Sequence, residues 1–314
     1  MLPVGNRDGI PCGPFYQSDL DHADWEAEYS YWTGGQAPVF AASVLARLAV
    51  MKVNNQEMIL GLQGGSLGWL TDGEFDFSKW QARADGVYAQ GIESYIEDGT
   101  IIGNYLIDEP KNVNAWGGVR VANNVIDDMG AYSKSLWPTL PAIVRHEPLY
   151  LTAYATADGQ PWPGGDYVWE HVDGAWAQYT PFKPASAGGS EVNGYIAANY
   201  DSAQAQGLSL VVGMNWRDGG LGESGVQSVQ ASSLRWCTSP GELDTFSTAL
   251  LSPYDISAWY MWKLVDAIDE SAVTQPPLHQ VLEYWNSAPV RASFDRLLAR
   301  CAAKERRPLL RRLG

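Results

Sequence analysis

The sequence contains few residues of the kinds that hold metals or form disulfides. Among its 314 residues are three cysteines, Cys12, Cys237 and Cys301, and four histidines, which are scattered without the close spacing of a metal site. An odd number of cysteines also leaves at least one thiol without a disulfide partner. We therefore expect no metal site and no cofactor.

Long apolar segments are missing as well. No run approaches the ~20 apolar residues that span a bilayer, and no charged start followed by an apolar core marks a signal peptide. The sequence therefore predicts no membrane span. It leaves the cellular location open, and a secreted or cell-surface protein whose targeting segment has been removed is one expectation.

Basic residues are outnumbered and unevenly placed. The chain has 21 Lys and Arg against 36 Asp and Glu, so its formal net charge is −15. The balance reverses near the end, with eight basic and two acidic residues in the segment 291–314. An acidic body repels phosphate backbones, so nucleic acid is not expected as a partner. We predict one main domain at 1–290, a basic C-terminal tail at 291–314, and a monomer.

Tryptophan is more frequent than in most proteins. The chain has 14 Trp, 16 Tyr and 32 Gly. Most of the rings should pack in the core, but Trp69, Trp116, Trp162 and Trp216 stand beside glycine or polar residues where loops are expected. Loop aromatics next to acids and amides suit the apolar faces and hydroxyl edges of sugars. The composition therefore favours a carbohydrate ligand.

Short apolar runs alternate with amphipathic segments along most of the chain. The runs predict strands at 13–17, 58–62, 101–107, 142–144, 175–178, 209–214 and 256–261. The segments between them predict helices at 40–53, 77–97, 121–136, 191–206, 240–251 and 277–285. This alternation is typical of a parallel sheet covered by helices. We predict the α/β class and a (β/α)8 TIM barrel that is irregular or has one degenerate strand, with the eighth strand hidden near 69–75 or missing at the N-terminus.

The strand predicted at 101–107 ends in two adjacent acids and a proline. Pro110 cannot donate a hydrogen bond to a neighbouring strand, so Asp108 and Glu109 should stand at the strand's carboxyl end. Ligands and catalytic groups collect at that end in parallel barrels. Adjacent strand residues point in opposite directions, so the two acids should not face one ligand atom. The segment is the leading candidate for a catalytic site, the plainer alternative being that Asp108 caps the next helix.

The other predicted strands also end in polar or aromatic residues. If the sheet closes, these residues share one mouth with the two acids. They are Tyr16, Gln63, Arg145, His146, Glu147, Tyr179, Asn215, Asp218, Trp262 and Lys263. Acids, amides, aromatic rings and one arginine suit a neutral polyhydroxylated substrate.

Cleavage of a glycosidic bond needs two carboxyl groups. One is protonated to release the leaving oxygen, and the other attacks or activates water. We expect Glu109 to donate the proton and Asp108 to position it or tune its pKa. Glu147, at the end of the next predicted strand, is the candidate second carboxylate unless it forms an ion pair with Arg145. His146 is either a hydrogen-bonded structural residue or part of the substrate site.

The residues around Glu109 are similar to those of a known class of enzymes. The run Gly103–Pro110, GNYLIDEP, resembles the fourth-strand motif of TIM-barrel glycoside hydrolases, where Asn-Glu-Pro or Asp-Glu-Pro ends the strand. The segment Ala258–Trp262, AWYMW, is similar to their eighth strand, whose Trp floors a sugar subsite. The resemblance implies a hydrolase of oligo- or polysaccharides in which Glu109 is the general acid/base. Trp262, Trp216 and Tyr179 would be sugar platforms.

One position departs from that resemblance. Retaining members of the large clan with this motif carry a nucleophilic Glu at the end of strand seven, where this chain has Asn215. The second carboxylate has then moved, with Glu147 and Asp218 as candidates, or the mechanism is inverting, or catalysis is lost.

Two other functions fit the same residues. A catalytically inactive carbohydrate-binding barrel would explain Asn215 directly. A polysaccharide lyase would use Tyr179 or His146 as a base and Arg145 to neutralise a uronate. Only a lyase would form unsaturated products that absorb in the ultraviolet.

Overall fold

Eight parallel strands form a nearly closed barrel. The computed structural model of the protein describes residues 9–14, 31–62, 66–183, 191–227, 235–252, 254–262 and 278–305. In chain order the strands are β1 (Cys12–Pro14), β2 (Gly34–Pro38), β3 (Glu57–Gly61), β4 (Leu70–Thr71), β5 (Glu74–Phe75), β6 (Ile101–Asp108), β7 (Ala142–Arg145), β8 (Gly174–Tyr179), β9 (Ser209–Asn215) and β10 (Ile256–Trp262). The barrel order is β1-β10-β9-β8-β7-β6-β3-β2, while β4 and β5 form a separate antiparallel hairpin. The predicted α/β class and (β/α)8 architecture are confirmed.

Helices cover the outside of the barrel. In chain order they are α1 (Val44–Val53), α2 (Phe77–Tyr88), α3 (Glu93–Glu97), α4 (Asn123–Leu136), α5 (Pro148–Ala153), α6 (Val192–Ala205), α7 (Pro240–Leu251), α8 (Leu278–Trp285) and α9 (Ala288–Ala302). Local sequence explains several helix ends. Asp76 caps α2 by accepting a hydrogen bond from the Ser78 N–H, and Gly91, with a φ of +69°, separates α2 from α3. Ser239 and Glu242 form a capping box at the start of α7.

The strand that the sequence did not reveal is β2. Its residues, Gly-Gly-Gln-Ala-Pro, include no β-branched or aromatic side chain, so they carry no strand pattern. Parallel pairing with β3 along its whole length holds the segment in the sheet. The expectation of an eighth strand near 69–75 was wrong, because residues 70–75 form the β4–β5 hairpin outside the barrel. Asp72 and Gly73 make the hairpin's turn with positive φ angles.

The barrel closes where β1 meets β2. The Thr33 N–H donates to the Cys12 carbonyl, and the Cys12 N–H donates to the Thr33 hydroxyl, both over 3.0 Å. Beside them Gly13 and Gly34 bring the two backbones into contact, since a Cβ on Gly13 would lie 1.8 Å from the Gly34 carbonyl oxygen. Only glycine fits at residue 13, so this seam depends on the absence of a side chain.

Two buried layers build the barrel. The inner layer fills its lumen with Ile59, Tyr105, Ile143, Trp176, Val211, Ala258 and Tyr260. A larger layer of apolar side chains packs between the strands and the helices. Because alternate strand residues share a face, Arg145 and Gln178 follow Ile143 and Trp176 on the inner face at the ends of β7 and β8. The lumen is therefore apolar in its interior. It becomes polar at the mouth, where the carboxyl ends of the strands lie.

The last described helix, α9, belongs to this packed structure. It crosses residue 290 and buries Phe294, whose ring centroid lies 5.4 Å from that of Trp32. Arg296 and Arg300 on α9 bind Asp244 on α7. The basic segment expected from residue 291 thus begins as a helix packed on the barrel, and residues 306–314 lie outside the described ranges. Among the described helices, none is long and apolar enough to cross a bilayer.

Candidate active site

Two carboxyls and one arginine meet at the carboxyl ends of β6 and β7. Strand register pairs Asp108 with Arg145. Arg145 Nη1 donates to Asp108 Oδ1 over 2.5 Å, and Nη2 donates to Glu109 Oε1 over 3.3 Å. The side chains of both acids are 29% exposed, whereas that of Arg145 is 6% exposed. A buried guanidinium therefore holds two carboxyls that remain open to the mouth.

The backbone of Glu109 explains how both acids reach one arginine. Glu109 follows the last residue of β6 and has a φ of +42°, in the left-handed region that non-glycine residues rarely adopt. Its N–H donates to the Arg145 carbonyl over 2.8 Å, and Asn112 Nδ2 donates to its Oε2 over 2.7 Å. The strand alternation from which opposite directions were predicted does not extend to Glu109, because Glu109 lies beyond the end of β6.

The surroundings shift the pKa values of the two acids in opposite directions. Burial raises the pKa of Asp108 and the charge of Glu109 raises it further, while Arg145 acts in the other direction. Burial also opposes ionisation of Glu109, but Arg145 and the Asn112 hydrogen bond outweigh burial and lower its pKa. The surroundings therefore raise the pKa of Asp108 and lower that of Glu109. The roles predicted from the sequence, with Glu109 as the proton donor, stay predictions.

A polar row crosses the floor of the mouth from β6 to β9. Arg145 Nε donates to Gln178 Oε1 over 3.1 Å, and the Gln178 amide donates to Asn215 Oδ1. The Arg145 guanidinium also lies 5.7 Å from the Trp176 ring centroid. Burial acts to lower the pKa of Arg145, but the nearby carboxylates outweigh it and raise the pKa. The row fixes Arg145 in its charged form beneath the acids.

Glu147, the predicted second carboxylate, is buried and fully hydrogen-bonded. Its side chain is 3% exposed and forms an ion pair with Lys183. Tyr195 Oη donates to its Oε1 over 3.2 Å, and His146 Nδ1 lies 3.0 Å from its Oε2. Burial opposes ionisation, but Lys183 and His146 outweigh it and lower the pKa of Glu147. Lys183, and not the Arg145 of the alternative, forms an ion pair with this carboxylate.

His146 is enclosed together with Glu147. Its side chain is 6% exposed, and its ring stacks on Tyr150 with centroids 5.0 Å apart and planes 12° from parallel. The structure therefore places His146 in a packed role beside the mouth. Within the described ranges, no group of three or more His, Cys, Asp or Glu could hold a metal ion.

Two of the expected sugar platforms lie in the outer layer. Tyr179 is buried against Tyr195, with ring centroids 5.3 Å apart, because alternation in β8 turns Gln178 inward and Tyr179 outward. Trp216 is fully buried, and its centroid lies 4.6 Å from that of Trp285. Neither ring is open to a ligand in the mouth, so the sequence-based assignment of both as platforms was wrong.

Five other residues were predicted to lie at the mouth. Tyr16, Gln63 and Lys263 lie outside the described residues. Trp262 is described in its backbone alone, as the last residue of β10, where it pairs with Asn215. Asp218 lies beyond β9 and is partly exposed. Their roles in substrate binding stay predictions.

Sequence reasoning missed Phe182, which lies three residues beyond β8. The turn that carries it is closed by a 3.0 Å hydrogen bond from the Lys183 N–H to the Thr180 carbonyl. Phe182 is 42% exposed, and the Arg235 guanidinium lies 3.8 Å from its ring centroid. The sequence could have pointed to Phe182, because it is an aromatic residue in a polar turn directly after a strand end. Asn112 was missed as well, since nothing in the sequence marks its contact with Glu109.

Comparisons with solved structures show what this fold is similar to. No protein family matches the sequence, and no curated protein matches it. A GH5-4 broad-specificity endoglucanase from an uncultured bacterium is 11% identical with a TM-score of 0.51, over 91% of this chain and 94% of that one. An intracellular xylanase from Thermoanaerobacterium saccharolyticum is 11% identical with a TM-score of 0.50, over 86% and 91%.

A longer enzyme shares the fold as well. A GH2 β-galacturonidase from Eisenbergiella tayi is 11% identical with a TM-score of 0.57, over 92% of this chain and 51% of that one. This chain thus spans about half the length of that enzyme. The resemblance to TIM-barrel glycoside hydrolases is confirmed as a likeness of fold.

Proposed function

We propose that this protein is a glycoside hydrolase that cleaves an oligo- or polysaccharide. Its catalytic groups are Asp108 and Glu109. One observation carries the proposal: two part-exposed carboxyls share one buried arginine at the carboxyl end of a parallel barrel. Acid/base cleavage needs one carboxyl that holds a proton and one that is ionised. The opposite pKa shifts of the two acids fit that requirement. The glycoside hydrolases that share the fold support the same class of reaction.

The two acids have different tasks in this proposal. Asp108 protonates the leaving oxygen, because burial and the charge of Glu109 raise its pKa. Glu109 stays ionised beside Arg145 and Asn112, and it attacks the anomeric carbon or accepts a proton from the attacking water. Glu147 takes no part in the reaction, since Lys183, Tyr195 and His146 occupy its oxygens, as described above.

Dependence on the leaving group tests these tasks. Asp108→Asn should lower turnover of an unactivated glycan by about 10²–10⁴-fold, yet keep most activity on a dinitrophenyl glycoside, whose leaving group needs no proton. Glu109→Gln should lose activity on both substrates. Asp128→Asn, which changes an exposed acid on α4, is the matched control. If only Glu109→Gln is rescued by the activated substrate, Glu109 is the donor; if neither variant differs from the control, the proposed site is wrong.

Phe182 is the proposed sugar platform in place of Tyr179 and Trp216. Arg235 covers one side of its ring, and its exposure leaves area for the apolar face of a pyranose. The neighbouring Lys183 binds Glu147, which lies two residues after Arg145, so the turn stands beside the strand end whose arginine holds the acids. Phe182→Ala should therefore weaken glycan binding, measured by calorimetry on a Glu109→Gln background.

A carbohydrate-binding barrel without activity is the second candidate. It is favoured by Asn215, which ends β9 where the resemblance implies a nucleophilic Glu, and whose amide oxygen accepts from Gln178. This function predicts equal glycan affinity for the wild type and Glu109→Gln, with no turnover by either protein. Turnover by the wild type that Glu109→Gln abolishes would exclude it.

A further inference from the structure

Cys12 and Cys301 lie against each other in the core, although they come from opposite ends of the chain. Together with burial, the Cys301 thiol raises the pKa of the Cys12 thiol, so the two side chains are neighbours. Both are buried in the outer apolar layer, with exposures of 0% and 1%. The contact also involves the backbone, because the Ile10 N–H donates to the Cys301 carbonyl over 3.0 Å.

The elements that carry the two thiols are held firmly. Cys12 begins β1, which pairs with β10 on one side and meets β2 at the seam on the other. Cys301 lies in the last turn of α9, whose Phe294 packs on Trp32 just before β2. The chain before β1 approaches so closely that a Cβ on Gly9 would lie 2.3 Å from the Cys301 carbonyl oxygen. The fold therefore keeps the two cysteine residues beside each other.

We propose that Cys12 and Cys301 form a disulfide when the chain folds under oxidising conditions. The bond would join β1 to α9 and fasten the barrel at its seam, where β1 contributes only three residues. Cys237 would remain a thiol, since it is buried in a different environment near Arg217 and Asp218. The inference does not depend on the proposed enzymatic activity.

The oxidant is a small-molecule disulfide such as oxidised glutathione. One cysteine thiolate attacks the glutathione disulfide, forming a mixed disulfide and releasing one glutathione thiol. The second cysteine thiolate then attacks the protein-bound sulfur, which forms the Cys12–Cys301 bond and releases the second glutathione. Burial raises the pKa of the Cys12 thiol and disfavours the thiolate in the folded protein. The first exchange therefore takes place before the pair is enclosed, and the second takes place as folding brings the two cysteines together. The finished bond is then shielded from reductants.

Oxidative refolding of the full chain tests the proposal. We expect three free thiols after refolding with a reductant and one after refolding with oxidised glutathione, counted in denaturant with a thiol reagent. Non-reducing peptide mapping should show a peptide that links Cys12 and Cys301, in the wild type and in Cys237→Ala. Three remaining thiols, or a linkage that includes Cys237, would overturn it.

Thermal unfolding tests the role of the bond. The oxidised wild type should melt about 5–15 °C above the reduced protein, because the bond closes a loop of nearly the whole chain. The double variant Cys12→Ala/Cys301→Ala should melt at one temperature under both conditions. A linked peptide without any rise in melting temperature would contradict the fastening role.

Discussion

The side chain and backbone of Asn112 both support Glu109. Its Nδ2 donates to Glu109 Oε2 over 2.7 Å, and its N–H donates to the Glu109 carbonyl over 2.9 Å. The backbone bond closes the turn in which Glu109 takes its left-handed conformation. The side-chain bond favours the ionised carboxylate. Asn112 thus acts beside Arg145 on both the direction and the charge of the proposed catalytic group.

Asn112→Ala should shift the acidic limb of the pH profile. Removing a donor that favours the carboxylate raises the pKa of Glu109, so the limb of kcat/KM that reports Glu109 should move up by about one pH unit. Asn114→Ala, which changes an exposed residue of the same loop, should leave the limb in place. An unchanged limb in both variants would show that Asn112 does not act on Glu109.

Lys111 is an unusual buried amine beside the site. It is 4% exposed, and its Nζ donates to the carbonyls of Val121 and Ala155. Burial, together with the charge of Arg120, lowers its pKa from 10.5 to about 7. The lysine joins the loop that follows Glu109 to the chain that follows α5. Protonation below neutral pH places a charge in an enclosed position.

Stability should therefore depend on pH through Lys111. Its folded-state pKa is depressed, so its contribution to the free energy of unfolding is fully present above pH 10.5 and is lost as the pH falls through about 7. Between pH 9 and pH 6 the wild type should lose ~3 kcal/mol relative to Lys111→Met, measured by urea unfolding. Lys79→Met, at an exposed lysine, should show no such difference. If the difference in the free energy of unfolding between the wild type and Lys111→Met is the same at pH 9 and pH 6, the assignment to Lys111 is wrong.

Among the secondary-structure elements, the two seam strands are the least regular. β1 has three residues, and β2 is rich in glycine. Their backbones touch at Gly13 and Gly34, where a side chain has no space. Closure of the barrel thus depends on local geometry at one place more than on long strand pairing.

Gly13→Ala should open that seam. A Cβ at residue 13 would meet the Gly34 carbonyl oxygen at 1.8 Å, so the free energy of unfolding should fall by about 3 kcal/mol or more. Gly86→Ala on α2 is the control, because its Cβ would lie 3.6 Å from that of Ala41 in ordinary contact. That change should stabilise the helix by about 0.5–1 kcal/mol. Equal stability of the two variants in chemical unfolding would show that the strands can separate without cost.

The strands were predictable where their buried residues form a continuous apolar run in the sequence. The strands β6 to β10 and helix α7 occupy the predicted segments with small changes at their ends. β2 was not predictable, because its Gly-Gly-Gln-Ala-Pro sequence becomes a strand only through its neighbour β3. The strand register that brings Asp108 beside Arg145 is likewise a property of the assembled sheet.

The site was predictable in position and not in orientation. The sequence located Asp108 and Glu109 at a strand end, but the positive φ of Glu109 that turns both acids to Arg145 has no signal in the residue type. Alternation alone could have turned Tyr179 away from the mouth, had the boundary of β8 been known. The ion pair of Glu147 depends on Lys183, which comes from a turn between β8 and α6.

In the whole molecule, the C-terminal helix α9 completes the outer layer. Phe294 contacts Trp32 and Trp285, so residues on both sides of the predicted boundary at 290 share one aromatic cluster. Arg296 and Arg300 add ion pairs to Asp244. The basic residues of this segment therefore belong to a helix that packs against the rest of the protein.

Truncation after residue 290 should destabilise the protein severely. Loss of α9 exposes the apolar cluster around Trp32, so we expect an insoluble protein or a melting temperature lower by at least about 10 °C. A chain that ends after residue 305 keeps α9 and serves as the control. If the shorter chain melts like the control, the predicted domain boundary at 290 is right.

The polar row from Asp108 to Asn215 makes neighbouring strands interdependent. A glutamate introduced at 215, to imitate the retaining enzymes, would add a third carboxylate to a row that contains one guanidinium. Such a graft would compete with the resident acids for Arg145. A nucleophilic glutamate at residue 215 therefore requires compensating replacements on β7 and β8. We expect the residues at the four strand ends, from β6 to β9, to change together.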